Sequence, residues 1–531
     1  MTWLTRLPLH PVLFAAYAVL LLYSSNLGEV LPVDAAAPLG RAMLGAALAM
    51  GVAGLVFRDV RRGAVVASTL VIVYFGYGHV VEWLAGSGVT DRVLLAACAA
   101  MVVAAVVYAA RANATLPSAT GGLNVSAIAL VLLVSATIVP YEVARSGRSP
   151  GSSPAAVAAA RAIAPALKVA ARDQPPRKPD IYFLVFDRYG SADAIERRFG
   201  LTGNPLYGWL ADRGFQVPAH PHANYRATDF SLAATLNMRY LDDLTTEVGR
   251  TSGDRTPAQS MIRNHAVGTF LKAEGYRYYQ LGSWFGPTRS IPIADENLTL
   301  GIASEFETVL ADTTIVPAIQ REMGVASPEL TFLDRHREGT LFELRQLRRV
   351  ATAGGPKFVF AHFLLPHDPY VFRADGSTIP EAEAKATDER DLYAGQLAYA
   401  NTQIQDIVGY LLAGPEASRP IVIIEGDEGP LMCRSVDCVR NTPEYLRIRL
   451  GNLVAMYLPG VRDKVPDTFT PVNTFRLVFR EYFGADLDDL PDRSFTWPDN
   501  NHIYDFRDVT DLIADPGGSP PEHLGRRGSQ S

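Results

Sequence analysis

Asp180-Ile-Tyr-Phe-Leu-Val-Phe-Asp187-Arg-Tyr-Gly190 is an apolar run that ends on a carboxylate at a turn, and Ile421-Val-Ile-Ile-Glu-Gly-Asp427-Glu428-Gly429 repeats the design later in the chain. Short apolar runs bounded by turn residues read as strands buried on both faces, the kind that build parallel sheets. In such sheets the carboxyl ends of neighbouring strands share one edge, where ligands bind. Two acidic endings at that edge can gather oxygens around one cation. The pair therefore points to an α/β fold with a metal-centred site.

The surrounding sequence fits that architecture. Further strand patterns fall at Arg277–Leu281, Phe358–Phe363 and Leu453–Leu458, separated by helical patterns at Pro205–Arg213, Phe230–Met238, Val267–Glu274, Leu341–Val350, Asp388–Leu412 and Val472–Tyr482. Alternation of this sort predicts a central, mostly parallel sheet with helices on both faces.

The chain has 531 residues, 48% of them hydrophobic, and the apolar bias is concentrated before residue 140. Five stretches there, Pro11–Leu27, Ala42–Phe57, Ala64–Val80, Val93–Ala110 and Val125–Val139, are candidate membrane crossings and predict a bundle of about five helices. Arg6, Arg58, Arg61, Arg62 and Arg111 fall on one side of such a bundle, whereas Glu29, Asp34, Glu82 and Asp91 lie mostly on the other. The positive-inside rule then predicts a cytoplasmic amino terminus and an exported remainder. A cleavable signal peptide is disfavoured, because no small-residue cleavage site follows the first stretch and four more apolar stretches do. The expected organisation is a transmembrane domain over 1–142, a Gly/Ser/Pro-containing linker over 143–178, an extracytoplasmic domain over 179–513 and a disordered tail over 514–531.

Formal net charge is −6 and no long basic run occurs, which excludes nucleic acid as an expected partner. Cys98 sits in an apolar stretch as a small hydrophobe. Cys433 and Cys438 follow the second acidic turn and can close a disulfide ring in an oxidising compartment; free thiols or a metal are the alternatives.

A nucleophile is sought where a helix begins. His222-Ala-Asn224-Tyr225-Arg226-Ala-Thr228 leads into an amphipathic run, placing the Thr228 hydroxyl at the positive end of a helix dipole, beside unpaired backbone N–H groups. Thr is also an ordinary helix cap. The two acidic strand ends, which need a further ligand, favour a metal-activated hydroxyl. Phe358-Val-Phe-Ala-His362-Phe-Leu-Leu-Pro-His367-Asp-Pro-Tyr370 carries His367 in a loop suited to contacting a substrate oxygen, while His362, inside the apolar run, is expected to be a hydrogen-bonded core residue. Gly282-Ser-Trp284-Phe-Gly-Pro-Thr288 follows a strand without an assigned role. Asn224, Tyr225, Arg188 and Arg289 are candidate substrate or anion contacts, and His502 is a candidate from the carboxyl-terminal segment.

Taken in order, the Asp187 strand end, the Asn-Tyr-x-x-Thr helix entry, the Phe-Ala-His-x-x-x-Pro-His-x-Pro-Tyr loop and the late acidic-Gly turn resemble the alkaline phosphatase/sulfatase superfamily. Five crossings followed by an exported domain look like its lipoteichoic acid synthase branch, so the resemblance spans nearly the whole chain. It implies one divalent cation, Mn²⁺ or Mg²⁺ with Ca²⁺ as a further choice, held by Asp187, Thr228 and Asp427. It also implies Thr228 as nucleophile and His367 in the substrate site. Where the family shows Asp-His-Gly, this chain has Asp427-Glu428-Gly429, and Glu428 is a hard oxygen donor able to take the place of the His. The implied activity is transfer of a phosphoglycerol or phosphoethanolamine head group from a membrane lipid to an envelope glycan or glycolipid, through a phosphothreonine. Ester hydrolysis and a catalytically degenerate, membrane-anchored binding protein are the alternatives. A true sulfatase is disfavoured, since Thr228-Asp-Phe-Ser231 lacks the Cys/Ser-x-Pro-x-Arg setting of those enzymes.

Overall fold

The computed structural model describes residues 7–84, 86–112, 115–147, 178–301, 304–324, 332–431 and 441–514. Internal contacts divide the chain into two units, Met1–Gly147 with Ala303–Phe332, and Arg148–Ile302 with Leu333–Ser531. Most of the linker, nearly all of the tail, and both Cys433 and Cys438 lie outside the described residues.

The first unit contains α1 (His10–Ser25), α2 (Pro32–Phe57), α3 (Val60–Trp83), α4 (Asp91–Arg111) and α5 (Leu116–Gly147). Four of these, α2 to α5, are long and apolar enough to cross a membrane. Side chains such as Leu48, Leu55, Val103 and Leu133 are 61–81% exposed on them, as lipid-facing residues are. The expectation of five spanning stretches needs adjustment at α1, whose 16 residues cover about 24 Å against a hydrocarbon layer of about 30 Å. Its start is fixed inside the bundle, because the Asn124 side-chain oxygen accepts the Leu9 and His10 N–H groups at 2.9 Å each, satisfying donors that a helix end leaves orphaned.

Sequence reading placed all of 179–513 in one exported domain, yet a segment from its middle packs within the first unit. Two short helices, Glu305–Asp312 and Val316–Met323, lie against the ends where α1 meets α2 and α3 meets α4. Gly78 N–H donates to the Thr313 carbonyl and Ile315 N–H to the Tyr74 carbonyl, both at 2.9 Å. Arg321 pairs with Asp91 at 2.9 Å and Arg92 with Glu322 at 2.6 Å, while Phe306 packs beside Tyr23, Leu27 and Ala35. A Cβ on Gly78 would sit 2.5 Å from the Thr313 carbonyl oxygen, so the close approach requires glycine.

The second unit is built on a six-stranded sheet: β1 (Ile181–Phe186), β2 (Arg277–Gly282), β3 (Glu296–Thr299), β4 (Lys357–Phe363), β5 (Ile421–Glu425) and β6 (Val454–Tyr457), in the order β3-β2-β4-β1-β5-β6. All pairings are parallel except β5 with β6. Each strand read from the sequence is present; β3, a short polar edge strand, is the addition. Along β1, Ile181, Phe183 and Val185 join one apolar core and Tyr182, Leu184 and Phe186 the other, so helices cover both faces. Residue Val185 is level with His362 on one side and Glu425 on the other, and this register brings three strand ends to one edge.

Candidate metal centre

Asp187 is the first residue after β1, His362 the penultimate residue of β4, and Asp427 stands two residues beyond β5. One ligand atom from each lies within 4.8 Å of the others, and the three side chains are buried. Asp187 Oδ1, His362 Nε2 and Asp427 Oδ2 have no hydrogen-bond partner among the described residues. Buried carboxylates are costly unless compensated. Convergence of three such atoms is therefore what a cation site demands, and a set of two carboxylates and one imidazole suits Mn²⁺, Mg²⁺ or Zn²⁺.

Backbone packing makes the convergence possible. At Gly426 a Cβ would fall 2.2 Å from the Tyr189 carbonyl oxygen, so the turns after β1 and β5 touch main chain to main chain. Arg188, in the left-handed region at φ 59°, donates its N–H to Asp427 Oδ1 at 3.0 Å and ties the two turns together. Electrostatics follow from this closeness. Burial opposes ionisation of Asp187, but nearby His367, His362 and Arg188 hold its carboxyl below the usual range. Burial and the Asp187 charge together push Asp427 up to about 6.

Thr228 opens α6 (Thr228–Asn237), following Ala227 in an extended conformation, and its side chain lies near enough to the Asp427 carboxyl to favour that group's ionisation. The hydroxyl thus meets the acidic pair at a helix N-terminus, where the backbone favours negative charge. The structure brings Asp187, Thr228 and Asp427 together and adds His362, which sequence reasoning had assigned to the core. Thr288 Oγ1 contacts His362 Nδ1 at 2.9 Å and leaves Nε2 facing Asp187 Oδ2 at 3.4 Å. The available signal was position: His362 stands near the carboxyl end of a strand adjoining β1.

Glu428 goes elsewhere. Its Oε1 forms a close ion pair with Arg449 Nη2 and lies 3.6 Å from Arg188 Nε, so it balances guanidinium charge instead of joining the cluster. His367 lies beside the cluster, with its Nδ1 against the Asp368 carbonyl and its ring edge-on to Trp284 at 6.2 Å. Burial and the Arg188 charge lower its pKa. Arg188 itself pairs with Asp368. Asn224 is a structural bridge, accepting from Val472 N–H and donating to the Arg493 carbonyl at 2.8 Å each. Tyr225 is a core residue whose hydroxyl accepts the Leu241 N–H at 2.8 Å. His502 is partly exposed and pairs with Asp499 at 2.8 Å, apart from the cluster.

No family model and no curated protein matches the chain. Solved structures do. The C-terminal periplasmic domain of EcEptC from Escherichia coli, in complex with Zn, is similar at 11% identity and TM-score 0.41, over 66% of this chain and 96% of that one. A phosphonate monoester hydrolase of Agrobacterium radiobacter is similar at 12% identity and TM-score 0.37, over 60% and 80%. A protein in the alkaline phosphatase superfamily from Vibrio parahaemolyticus gives 11% identity and TM-score 0.37, over 67% and 84%. At these values the functional reading rests on this chain's own residues.

Proposed function

We propose that this chain is a membrane-anchored, metal-dependent phosphotransferase of the alkaline phosphatase/sulfatase type, moving a phospholipid head group of the phosphoglycerol or phosphoethanolamine class to an envelope glycan or lipid. One observation carries the reading: three buried, unpartnered ligand atoms from Asp187, His362 and Asp427 meet beside the Thr228 hydroxyl at a helix N-terminus.

Asp187, His362 and Asp427 would hold a divalent cation, which would supply positive charge for the phosphoryl oxygens. The chain's residues do the rest. Thr228 Oγ attacks phosphorus in line, the bond from phosphorus to the lipid alcohol oxygen breaks, and the threonyl proton passes to Asp427, the carboxyl nearby. The departing oxygen takes its proton from water, and His367, beside the cluster with its Nδ1–H held by the Asp368 carbonyl, offers a bare Nε2 as base to the acceptor hydroxyl. An acceptor hydroxyl then attacks the phosphothreonine, its proton passing to His367 Nε2, while the bond to Thr228 Oγ breaks and that oxygen takes back the proton held by Asp427.

Placement outside the cytosol is supported by two features. Arg58, Arg61, Arg62 and Arg111 cluster at the joint of α2 with α3 and at the end of α4. The helices Glu305–Asp312 and Val316–Met323, which fall in sequence between elements of the α/β unit, pack against the opposite helix ends. By the positive-inside rule those opposite ends are extracytoplasmic.

The test is incubation of the full-length protein with donor phospholipids, followed by mass spectrometry of the peptide containing Thr228. A covalent phosphoryl adduct is expected, absent in Thr228→Ala, and its mass identifies the group transferred. A wild-type protein that binds Mn²⁺ and turns over donor lipid with no adduct at Thr228 would overturn the proposed nucleophile.

A further inference from the structure

Apolar surface is distributed unevenly along the exported part of the chain. Among the described residues of the α/β unit, Leu512 is the one large apolar side chain left exposed, at 48%. The stretch 304–324, which falls in sequence between β3 and β4, exposes three: Val309 at 43%, Ile319 at 38% and Met323 at 68%. Such a density is ordinary on a surface that faces lipid and uncommon on one that faces water.

The pattern is helical. Val316, Ile319 and Met323 stand at i, i+3 and i+7 of the helix Val316–Met323 and form one stripe, with Val316 half-buried. The remaining sides are occupied. Ala318 is buried, and Arg321 and Glu322 pair with Asp91 and Arg92 in the first turn of α4. Those ion pairs also fix the depth. With 21 residues α4 spans about 32 Å against a hydrocarbon layer of about 30 Å, so its first turn stands at the edge of that layer, and Val316–Met323 is level with it. At the neighbouring end of α3, Trp83 is 82% exposed, as are the aromatic side chains that mark a membrane boundary. The turn before the helix keeps its backbone satisfied at this depth, through the bonds of Thr313 and Ile315 to α3.

Charge decides what kind of attraction is available. Between 304 and 324 Arg321 is the one basic residue, against Glu305, Glu307, Asp312 and Glu322. Attraction to anionic head groups needs clustered Lys and Arg, so burial of the apolar stripe has to supply the affinity. We propose that Val316–Met323 is an interfacial helix, which lays Ile319 and Met323 at the boundary of head groups and acyl chains in the leaflet where α3 ends and α4 begins. Its partner is the lipid surface, zwitterionic or anionic alike. The α/β unit is then tied to the bilayer by two chain connections, one after α5 and one at 304–324, whatever reaction the metal centre performs.

Photo-cross-linking tests it. Ile319 or Met323, and separately Leu48 of α2 as a lipid-facing reference, is replaced by p-benzoylphenylalanine in the full-length protein. The protein is reconstituted in nanodiscs of phosphatidylcholine, alone or with an equal share of phosphatidylglycerol, and peptides are analysed by mass spectrometry after illumination. Phospholipid adducts are expected at 319 and 323 in both bilayers, at yields within about threefold of that at Leu48. Yields more than about tenfold lower in both bilayers would overturn the inference, since a lipid-facing side chain cannot escape such contact. Cross-links to a second copy of the chain in place of lipid would overturn it too, making the stripe an interface between protomers. Adducts confined to the anionic bilayer would refute the apolar account of the affinity. The unsubstituted protein gives an independent reading through its own thioether: hydroxyl radicals made in the water phase should oxidise Met323 about tenfold more slowly than N-acetylmethionine in the same sample. Oxidation of Met323 as fast as that reference would show that the stripe faces water, and would end the proposal.

Discussion

Replacing Arg449 by Met would strand the Glu428 carboxyl in the interior. The two side chains are 7% and 2% exposed and form a close ion pair, and Arg449 Nη1 also donates to the Gly429 carbonyl at 2.7 Å. Breaking a buried pair from one side costs about 3–5 kcal/mol, and the lost carbonyl bond adds about 1. Arg449→Met should therefore lower stability by about 4–6 kcal/mol, the sum of these terms. The double variant Arg449→Met/Glu428→Leu should recover to within about 2 kcal/mol of wild type, because replacing both partners by apolar groups removes the unpaired charge. With Glu428→Leu as the second single variant, the coupling between the sites is then at least about 3 kcal/mol, read from a double-mutant cycle of urea midpoints followed by tryptophan fluorescence of full-length protein in detergent. Calorimetry with Mn²⁺ supplies the functional half. Glu428→Gln should keep affinity within about tenfold, whereas Asp427→Ala, which removes a ligand, should abolish measurable binding, since even residues behind a ligand cost 10–100-fold. Loss of Mn²⁺ binding in Glu428→Gln as complete as in Asp427→Ala, with no stability coupling to Arg449, would refute the ion-pair account and return Glu428 to the metal.

Thr288→Val removes the hydroxyl that contacts His362 Nδ1 and should weaken Mn²⁺ binding about 10–100-fold, with Thr288→Ser restoring it; equal affinities would show that the contact does not orient the imidazole. Glu425, buried and bonded to Thr474, has its carboxyl pushed up by burial to about 8, so between the unfolded value of 4.5 and about 8 the folded chain retains a proton that the unfolded chain loses. Stability should consequently fall as pH rises through that window, and the melting-temperature advantage of Glu425→Gln over wild type should grow from pH 5 to pH 8, by an amount up to about 3 kcal/mol; a constant difference would contradict it. Gly78→Val forces a side chain against the Thr313 backbone and should free the 303–332 segment, at a cost of about 1–3 kcal/mol, detected as faster limited proteolysis within it; unchanged cleavage would show that the segment tolerates the intrusion.

The sheet was legible because its strands are uninterrupted apolar runs: Ile181–Phe186 is buried at every position, a pattern that periodicity cannot conceal. The edge strand Glu296–Thr299, polar and only partly buried, carries no such signal. Asp187, Asp427 and Thr228 stand out in the sequence because each ends or begins an element. His362 does not, since it looks like one more interior residue until the register sets it level with Val185. The placement of 303–332 was hidden for a related reason. Its attachment runs through backbone bonds from Gly78 and Tyr74 and through ion pairs with Asp91 and Arg92, which leave no periodic trace in either partner.

Charge balance around the strand ends separates Glu428 from the two carboxyls of the cluster. Asp187, Asp368, Asp427 and Glu428 bring four carboxyls to this edge, and Arg188 and Arg449 bring two guanidiniums. The ion pairs Arg188–Asp368 and Arg449–Glu428 consume both cations. Asp187 and Asp427 are left with a ligand atom each within 4.8 Å of the other and of His362. Their charge, when both are ionised, is the charge that one divalent cation neutralises. On this accounting Glu428 stands outside the set of ligand atoms. Arg449 neutralises its carboxylate, and His362, delivered from β4, supplies the nitrogen atom of the cluster.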